Sequence, residues 1–178
     1  MARNGKVNFQ DLDDFRQKIK NNLGEQHVQA FIESCAKELA ARLLGKVIDR
    51  TIVGVYPEGS GKNGGTLRRG WTAKTEEEAQ SGGKPLDARV YANSLKVQHY
   101  GGTYVIEITN PVHYASYVEF GHRQEVGRYV PALGKRLKKG WVKGKFMLTI
   151  SEQELQTQAP SIIEKKLTKY LGECFNGK

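Results

Sequence analysis

Residues 113–123 read His-Tyr-Ala-Ser-Tyr-Val-Glu-Phe-Gly-His-Arg. This stretch joins an apolar segment, Tyr104-Val-Ile-Glu-Ile-Thr109, to a strongly basic one. Tyr114, Tyr117, Val118 and Gly121 recur at i, i+3, i+4 and i+7, which predicts one short helix with all four on one face. Gly121 is placed to end that helix in a left-handed conformation. Glu119 and Arg123 are four apart and so are placed to pair along the helix, worth a few tenths of a kcal/mol if exposed. The stretch holds no catalytic device. It reads as a rigid corner, aromatic and charged, made to be packed against.

Working outward, Tyr104–Thr109 alternates apolar and polar residues, as do Leu95–Tyr100 and Ala88–Leu95 before it. Gly101-Gly102 supplies a hairpin turn between the last two strands, and Asn110-Pro111 ends the hairpin. Leu67–Thr75 reads as a further strand, followed by a polar loop over 76–88. The strongest helix signal lies at 25–50, where Val28, Phe31, Ile32, Cys35, Leu39, Leu43 and Val47 recur at three or four residues. Such a helix is about 38 Å long, enough to cross a whole sheet. Residues 11–22 predict a shorter helix capped by Asp11, with Leu12, Phe15, Ile19 and Leu23 as its stripe. Downstream, 147–158 and 161–172 predict two helices separated at Pro160. The fold class is α+β: a small antiparallel sheet flanked by a long N-terminal helix and C-terminal helices. The expected organisation is one domain over 1–178, with an N-terminal arm or helix at 1–24 and long flexible loops at 54–65 and 121–145.

The chain has 178 residues and a formal charge of +9. That length buries about 70% of the unfolded surface without staples. The basic balance favours nucleic acid, an acidic protein surface or a membrane surface as partner. Cys35 and Cys174 are far apart in helical patterns and are expected to be reduced. The N-terminus lacks the apolar core of a signal peptide, and no run reaches the roughly 18 apolar residues of a membrane span. A soluble protein made in the cytoplasm is the expectation.

Several chemical motifs are tempting and fail. Gly59-Ser-Gly-Lys-Asn-Gly-Gly65 resembles a phosphate loop, but Tyr56 stands where its first glycine belongs and Asn63 where its Ser or Thr belongs. His113 and His122 are nine apart with Glu119 between them, which is no helix-face chelate, so hydrogen-bonded or solvent-facing histidines are expected. Glu76-Glu77-Glu78 reads as a solvated run. No nucleophile–base constellation is present. Catalytic, metal and cofactor sites are therefore not expected.

The charge anomaly lies at 121–145, with Arg123, Arg128, Lys135, Arg136, Lys138, Lys139, Lys143 and Lys145 against Glu125. Tyr129 and Trp141 are interleaved. Cations neutralise phosphates and rings stack on bases, so this composition suits contact with DNA or with an acidic partner. A DNA-binding protein using this segment is the alternative reading, although no helix-turn-helix or zinc pattern supports it.

The run Tyr114-Ala-Ser-Tyr-Val-Glu-Phe-Gly-His-Arg123 resembles the signature of a tailed-phage tail-component family, whose members act in tail completion or head–tail joining. Upstream, Arg50-Thr-Ile-Val-Gly54 and then Gly65-Thr-Leu-Arg-Arg-Gly-Trp71 are similar to that family's "Thr-Pro-Val … Gly-x-Leu-Arg-x-Ser" region. Downstream, Val130-Pro-Ala132 and a helical tail are similar to its C-terminal part. Ile52 stands where the family often has proline, and Gly70 where it often has serine. The resemblance implies a structural ring, of six subunits, that ends the tail tube. It implies the tube or sheath protein and the head connector or collar as partners, DNA in the channel, no membrane, and a place at the head-proximal end of the particle. Trp71, Tyr114, Tyr117, Glu119, Phe120 and Arg123 are the candidates for packing at or under a subunit contact. Arg128, Lys135, Arg136, Lys138, Lys139, Lys143 and Lys145 are the candidates for meeting DNA or an acidic partner.

Overall fold

A computed structural model describes residues 21, 24–56, 64–100, 102–131 and 134–176. The helix predicted at 11–22 and the glycine-rich centre of the 54–65 loop fall outside the described residues, apart from Asn21 and the loop's flanks.

Helix α1, Glu25–Arg50, forms as its periodicity predicts. Its deepest stripe is Cys35, Ala40, Ala41, Leu44 and Val47, with Leu44 and Val47 fully buried. Leu39 and Leu43, expected at the centre of that stripe, are only half-buried. The alanines lie deeper because a methyl group lets a neighbouring helix approach closely. That neighbour is α4, Ala88–Ser94, capped by Asp87 Oδ1, which accepts from Arg89 N (2.9 Å) and Val90 N (3.0 Å). The strand expected at 88–95 is thus a helix over Ala88–Ser94. The alternation of Ala88, Val90 and Ala92 misleads, because it is Tyr91 and Ala92 that face the core while Val90 is exposed.

The segment Leu67–Thr75 also departs from its expected strand. Thr66–Gly70 is a single helical turn, α2, followed by a tight turn that buries Trp71, Thr72 and Ala73. Side-chain anchoring explains this. Arg68 donates through Nε (3.1 Å) and Nη2 (2.7 Å) to Thr51 O at the end of α1. Trp71 Nε1 donates to Thr51 Oγ1 (2.8 Å), which itself donates to Val47 O (2.6 Å). Arg69, buried, spans Ala79 O (2.8 Å), Gly64 O (3.0 Å) and Thr66 Oγ1 (3.4 Å). Buried polar groups are stable when satisfied in this way. The next turn, α3 at Glu76–Gln80, occupies part of the expected 76–88 loop and is capped by Thr75, which accepts from Glu78 N.

The predicted hairpin is present but shorter than expected, since 95–97 and 106–109 lie outside its strands. Strand β1, Gln98–Tyr100, pairs antiparallel with β2, Thr103–Val105, with His99 opposite Tyr104. After a short helix, α5 at Ala115–Phe120, four more strands follow: β3 (Gly121–Arg123), β4 (Tyr129–Val130), β5 (Lys135–Arg136) and β6 (Trp141–Lys143). The β content is therefore three two-stranded antiparallel ladders, β1–β2, β3–β6 and β4–β5.

The chain closes with α6, Met147–Asn176, one helix where two were expected. Proline inside a helix costs about 3 kcal/mol or more. Here Pro160 and Gln156, whose carbonyl loses its partner, are both exposed, so water can serve that carbonyl. Contacts on both sides of Pro160 hold α6 antiparallel along α1. Arg50 donates to Ser151 Oγ (2.9 Å) and pairs with Glu154 (2.6 Å), as does Lys46 (3.0 Å). Beyond the proline, Lys166 Nζ donates to Ser34 O (2.7 Å), and the Tyr170 ring stacks on Phe31 at 4.6 Å. Neither cysteine is in a disulfide. Burial pushes the Cys35 thiol above its ordinary pKa.

Two outcomes test this packing. A Cβ at Gly70 would collide with Asn110 Oδ1 and lie 2.9 Å from Val112 Cγ2. Gly70→Ser, the residue common in the resembling family, should therefore destabilise by about 1–3 kcal/mol in urea unfolding. Glu154 is held below the usual carboxylate range, first by its hydrogen bond from Lys46 and then by the Arg50 and Lys46 charges, against an opposing desolvation. A lowered folded-state pKa means that the ionised form stabilises the fold, fully above the ordinary glutamate pKa and less as pH falls through the lowered value. Glu154→Gln should accordingly lower the melting temperature at about pH 7, and the difference from the wild-type chain should shrink steadily as the pH is lowered below the ordinary glutamate range.

Candidate functional site

The corner is built on Asn110. Its Nδ2 donates to Leu67 O (2.8 Å) and its Oδ1 accepts from Val112 N (3.2 Å), so the turn into α5 is fixed to α2. Val112 is buried, and Tyr114, Ala115 and Val118 pack on the core. Burial raises the Tyr114 pKa. Tyr117 does not share their face: it is 56% exposed, and Phe120 is 60% exposed. The Tyr117 ring meets His122 edge-on at 5.7 Å. His113 is held by Glu76 (2.7 Å), and that hydrogen bond is the main cause of a lowered Glu76 pKa. Among the described residues no cluster of ligand side chains is suited to a metal ion.

Glu119 does not pair with Arg123. It is 5% exposed, and its carboxylate reaches the first turn of α6. Oε2 accepts from Leu148 N (3.0 Å), and Oε1 accepts from both Thr149 N and Thr149 Oγ1 (2.9 Å each). A helix N-terminus carries unsatisfied N–H groups and a partial positive charge, so a carboxylate there is favourable. Glu119 is thus a cap supplied from 29 residues away. The sequence carried a negative signal of this: α6 begins after Lys145-Phe146, with no Ser, Thr, Asp or Asn at the capping position.

Gly121 ends α5 with φ 84° and ψ 174°. The positive φ is as expected, but the extended ψ sends the chain directly into β3 and does not close a left-handed cap. A Cβ at Gly121 would strike Val142 O, and one at Gly144 would strike Glu119 O. Two backbones therefore pass in contact here, tied by Lys145 N donating to Val118 O (2.8 Å) and Phe146 N to Glu119 O (3.0 Å). Gly144 was not singled out from the sequence. Its pairing with Gly121 becomes visible only once β3 and β6 are seen to be partners.

From this root rises a two-stranded arm, where an irregular loop was expected. Gly121 lies opposite Lys143, His122 opposite Val142 and Arg123 opposite Trp141. Farther out, Tyr129 lies opposite Arg136 and Val130 opposite Lys135. Between the ladders, Gln124 N donates to Gly140 O (3.0 Å), Gly127 N to Leu137 O (2.8 Å) and Leu137 N to Arg128 O (2.9 Å). One extra residue on the outgoing strand is absorbed at Gly127, φ 88°, in the manner of a glycine bulge. Arg123, Arg128, Lys135, Arg136, Lys138, Lys139, Lys143 and Lys145 are all exposed. Among the described residues none of them forms an ion pair. Arg136 Nη1 donates to Gly127 O (2.8 Å) and braces the bulge.

The corner's six candidates thus divide. Trp71 and Glu119 are buried and serve the fold, Tyr114 is half-buried, and Tyr117, Phe120 and Arg123 face solvent. Glu119→Ala should cost about 1–3 kcal/mol, since it leaves buried helix N–H groups without an acceptor. Glu119→Gln should cost less, because its amide oxygen still accepts. Urea unfolding measures the cost, and amide exchange at Leu148 and Thr149 should quicken in step with it.

No curated protein and no solved structure matches the chain. Residues 13–121 match a family model described as "Bacteriophage HK97-gp10, putative tail-component". The matched span takes in α1 to α5 and stops at Gly121, the first residue of the arm. With more than half of its length matched, and with the corner that ends the match built as described, the chain belongs to the HK97-gp10-like family of phage tail components.

Proposed function

We propose that this structural tail component works as a ring of six subunits at the head-proximal end of the tail, where it ends the tail tube and joins it to the head connector or collar. Family membership makes it a virion protein that meets other virion proteins. The ring, its copy number and its position are the further step. The single observation that supports them most is the solvent-facing pair Tyr117 and Phe120, more than half exposed on a helix that is itself held rigid. Aromatic side chains on a fixed corner are what the centre of a protein contact requires.

A closed ring of identical chains needs two unlike surfaces on each subunit. The corner, with Arg123 beside it, is one. A second, sharing no residue with it, is the shallow apolar trough of Leu39, Leu43, Tyr104, Ile106, Ile108 and Leu155, between α1, the chain after β2 and α6. In this reading the whole chain acts as one unit, presenting the corner to one neighbour and the trough to the other. Among the described residues no helix is long and apolar enough to cross a membrane.

Electron cryo-microscopy of purified particles tests the reading directly; a single copy, or density away from the tail axis, would overturn it. Mutagenesis tests the corner. Phe120→Asp and Arg123→Glu should each reduce particle yield by about tenfold or more, as the loss of a central contact does. Lys139→Glu, farther out on the arm, should reduce it less. Equal yields from Arg123→Glu and Lys139→Glu, with both proteins folded by circular dichroism, would remove the corner from the interface.

A further inference from the structure

We propose that the basic arm, residues 121–145, is a binding element for double-stranded DNA that contacts the phosphate backbone without reading sequence. The proposal stands on the arm alone and not on the ring.

The first observation is the unequal balance of charge within this chain: on the described body the cations are matched in number by acids, and on the arm they are not. On the body, Arg42 and Arg89 pair with Glu38, Lys46 and Arg50 with Glu154, and Lys169 with Glu173. On the arm, eight cations stand against one acid, Glu125, and among the described residues none is paired. Gathering that much like charge on one ribbon opposes itself unless an external anion is met.

The second observation is distribution. Residues opposite one another in a ladder share a face, and successive residues alternate between faces. Near the root, Arg123 and Lys143 lie on one face with Trp141. Near the tip, Arg136 shares a face with Tyr129, whereas Lys135 lies on the opposite face with Val130. The tip is therefore cationic on both sides. A docking surface for a folded acidic protein needs charge on one side only. A two-stranded ribbon in the major groove has a phosphate wall on either side of it, and that groove is wide enough to admit one.

The third observation is scale and chemistry. The outgoing strand, from Gly121 to Val130, spans at most about 30 Å at about 3.3 Å per residue, and the turn at 125–128 shortens it, so the arm fits within the 34 Å of one duplex turn. Five of the eight cations are lysines, point charges suited to phosphate, one of the three arginines, Arg136, is engaged on Gly127 O, and Gln124 is the only amide side chain on the arm's two strands. The arm is thus equipped for backbone contact and poorly equipped for base readout.

The test is a fluorescence-anisotropy titration of the full chain against a random duplex of about 30 base pairs, repeated over a salt series. Binding should weaken steeply with salt, by about 0.9 in log–log slope per phosphate contact. Lys135, Lys138, Lys139 and Lys143 changed together to Ala leave the Arg136 brace in place. They should lower the slope by up to about 3.6 and weaken binding in proportion. The control removes the same charge from the body, with Lys74, Lys84, Lys96 and Lys165 all to Ala, and should leave the slope nearly unchanged. Lys139→Glu alone is a milder second variant, and circular dichroism confirms that each protein folds. Equal losses in the arm and body variants would mean that net charge and not the arm binds, and would overturn the proposal. So would no binding by the wild-type chain. Competition by poly-glutamate as effective, charge for charge, as by DNA would point to an acidic protein surface instead. Tighter binding of a single strand than of the duplex would point to base stacking on Trp141 and Tyr129, and would equally sink it. These readings are made on the free chain, so their failure leaves the ring to be judged by particle imaging.

Discussion

The carboxylate of Glu119 holds three parts of this protein together. It sits near the end of α5, two residues before the arm, and it accepts three hydrogen bonds from the start of α6. Without it, a 30-residue helix would begin after Phe146 with no local cap. The strands β3 and β6 emerge from the same point, where Gly121 and Gly144 let two backbones touch. Corner, arm and terminal helix therefore share one anchor. A change in the direction of any one of them must move the others.

The body behind that anchor is held by an unusually polar set of contacts. Thr51, fully buried at the end of α1, receives Trp71 on its hydroxyl and Arg68 on its carbonyl. Arg69 is buried and is satisfied chiefly by backbone carbonyls. These groups sit beside Leu44, Val47 and Met147 in the interior. Apolar burial supplies most of the driving force for such a fold. The directional bonds determine which turn follows which, because a buried donor without its acceptor is costly.

The division between body and arm bears on function. The family match covers the helical body and ends where the arm begins. The body carries an aromatic corner and an apolar trough, both suited to protein contacts, and its described cations are matched in number by its acids. The arm carries little apolar surface and many unpaired cations. On the proposed reading, protein contacts fall to the body and contact with a polyanion falls to the arm.

What the sequence determined by itself is what local periodicity and turn chemistry control. The helix at 25–50 and the hairpin around Gly101-Gly102 follow from spacing alone, and the corner motif from 113 to 123 carried the family. Tertiary structure decided wherever the residue pattern was compatible with two conformations. Residues 88–95 alternate like a strand, yet Asp87 caps them and α1 offers alanines to pack against, so a helix forms. Leu67–Thr75 is pulled into a turn by the reach of Arg68, Arg69 and Trp71 to partners elsewhere in the chain. Pro160 does not break α6, since α1 grips both sides of it. Glu119 looked like the partner of Arg123 four residues on, because spacing along a helix is all that a sequence displays. Its true partners lie 29 and 30 residues away, and only the folded chain brings a helix start without a cap to a carboxylate without a cation.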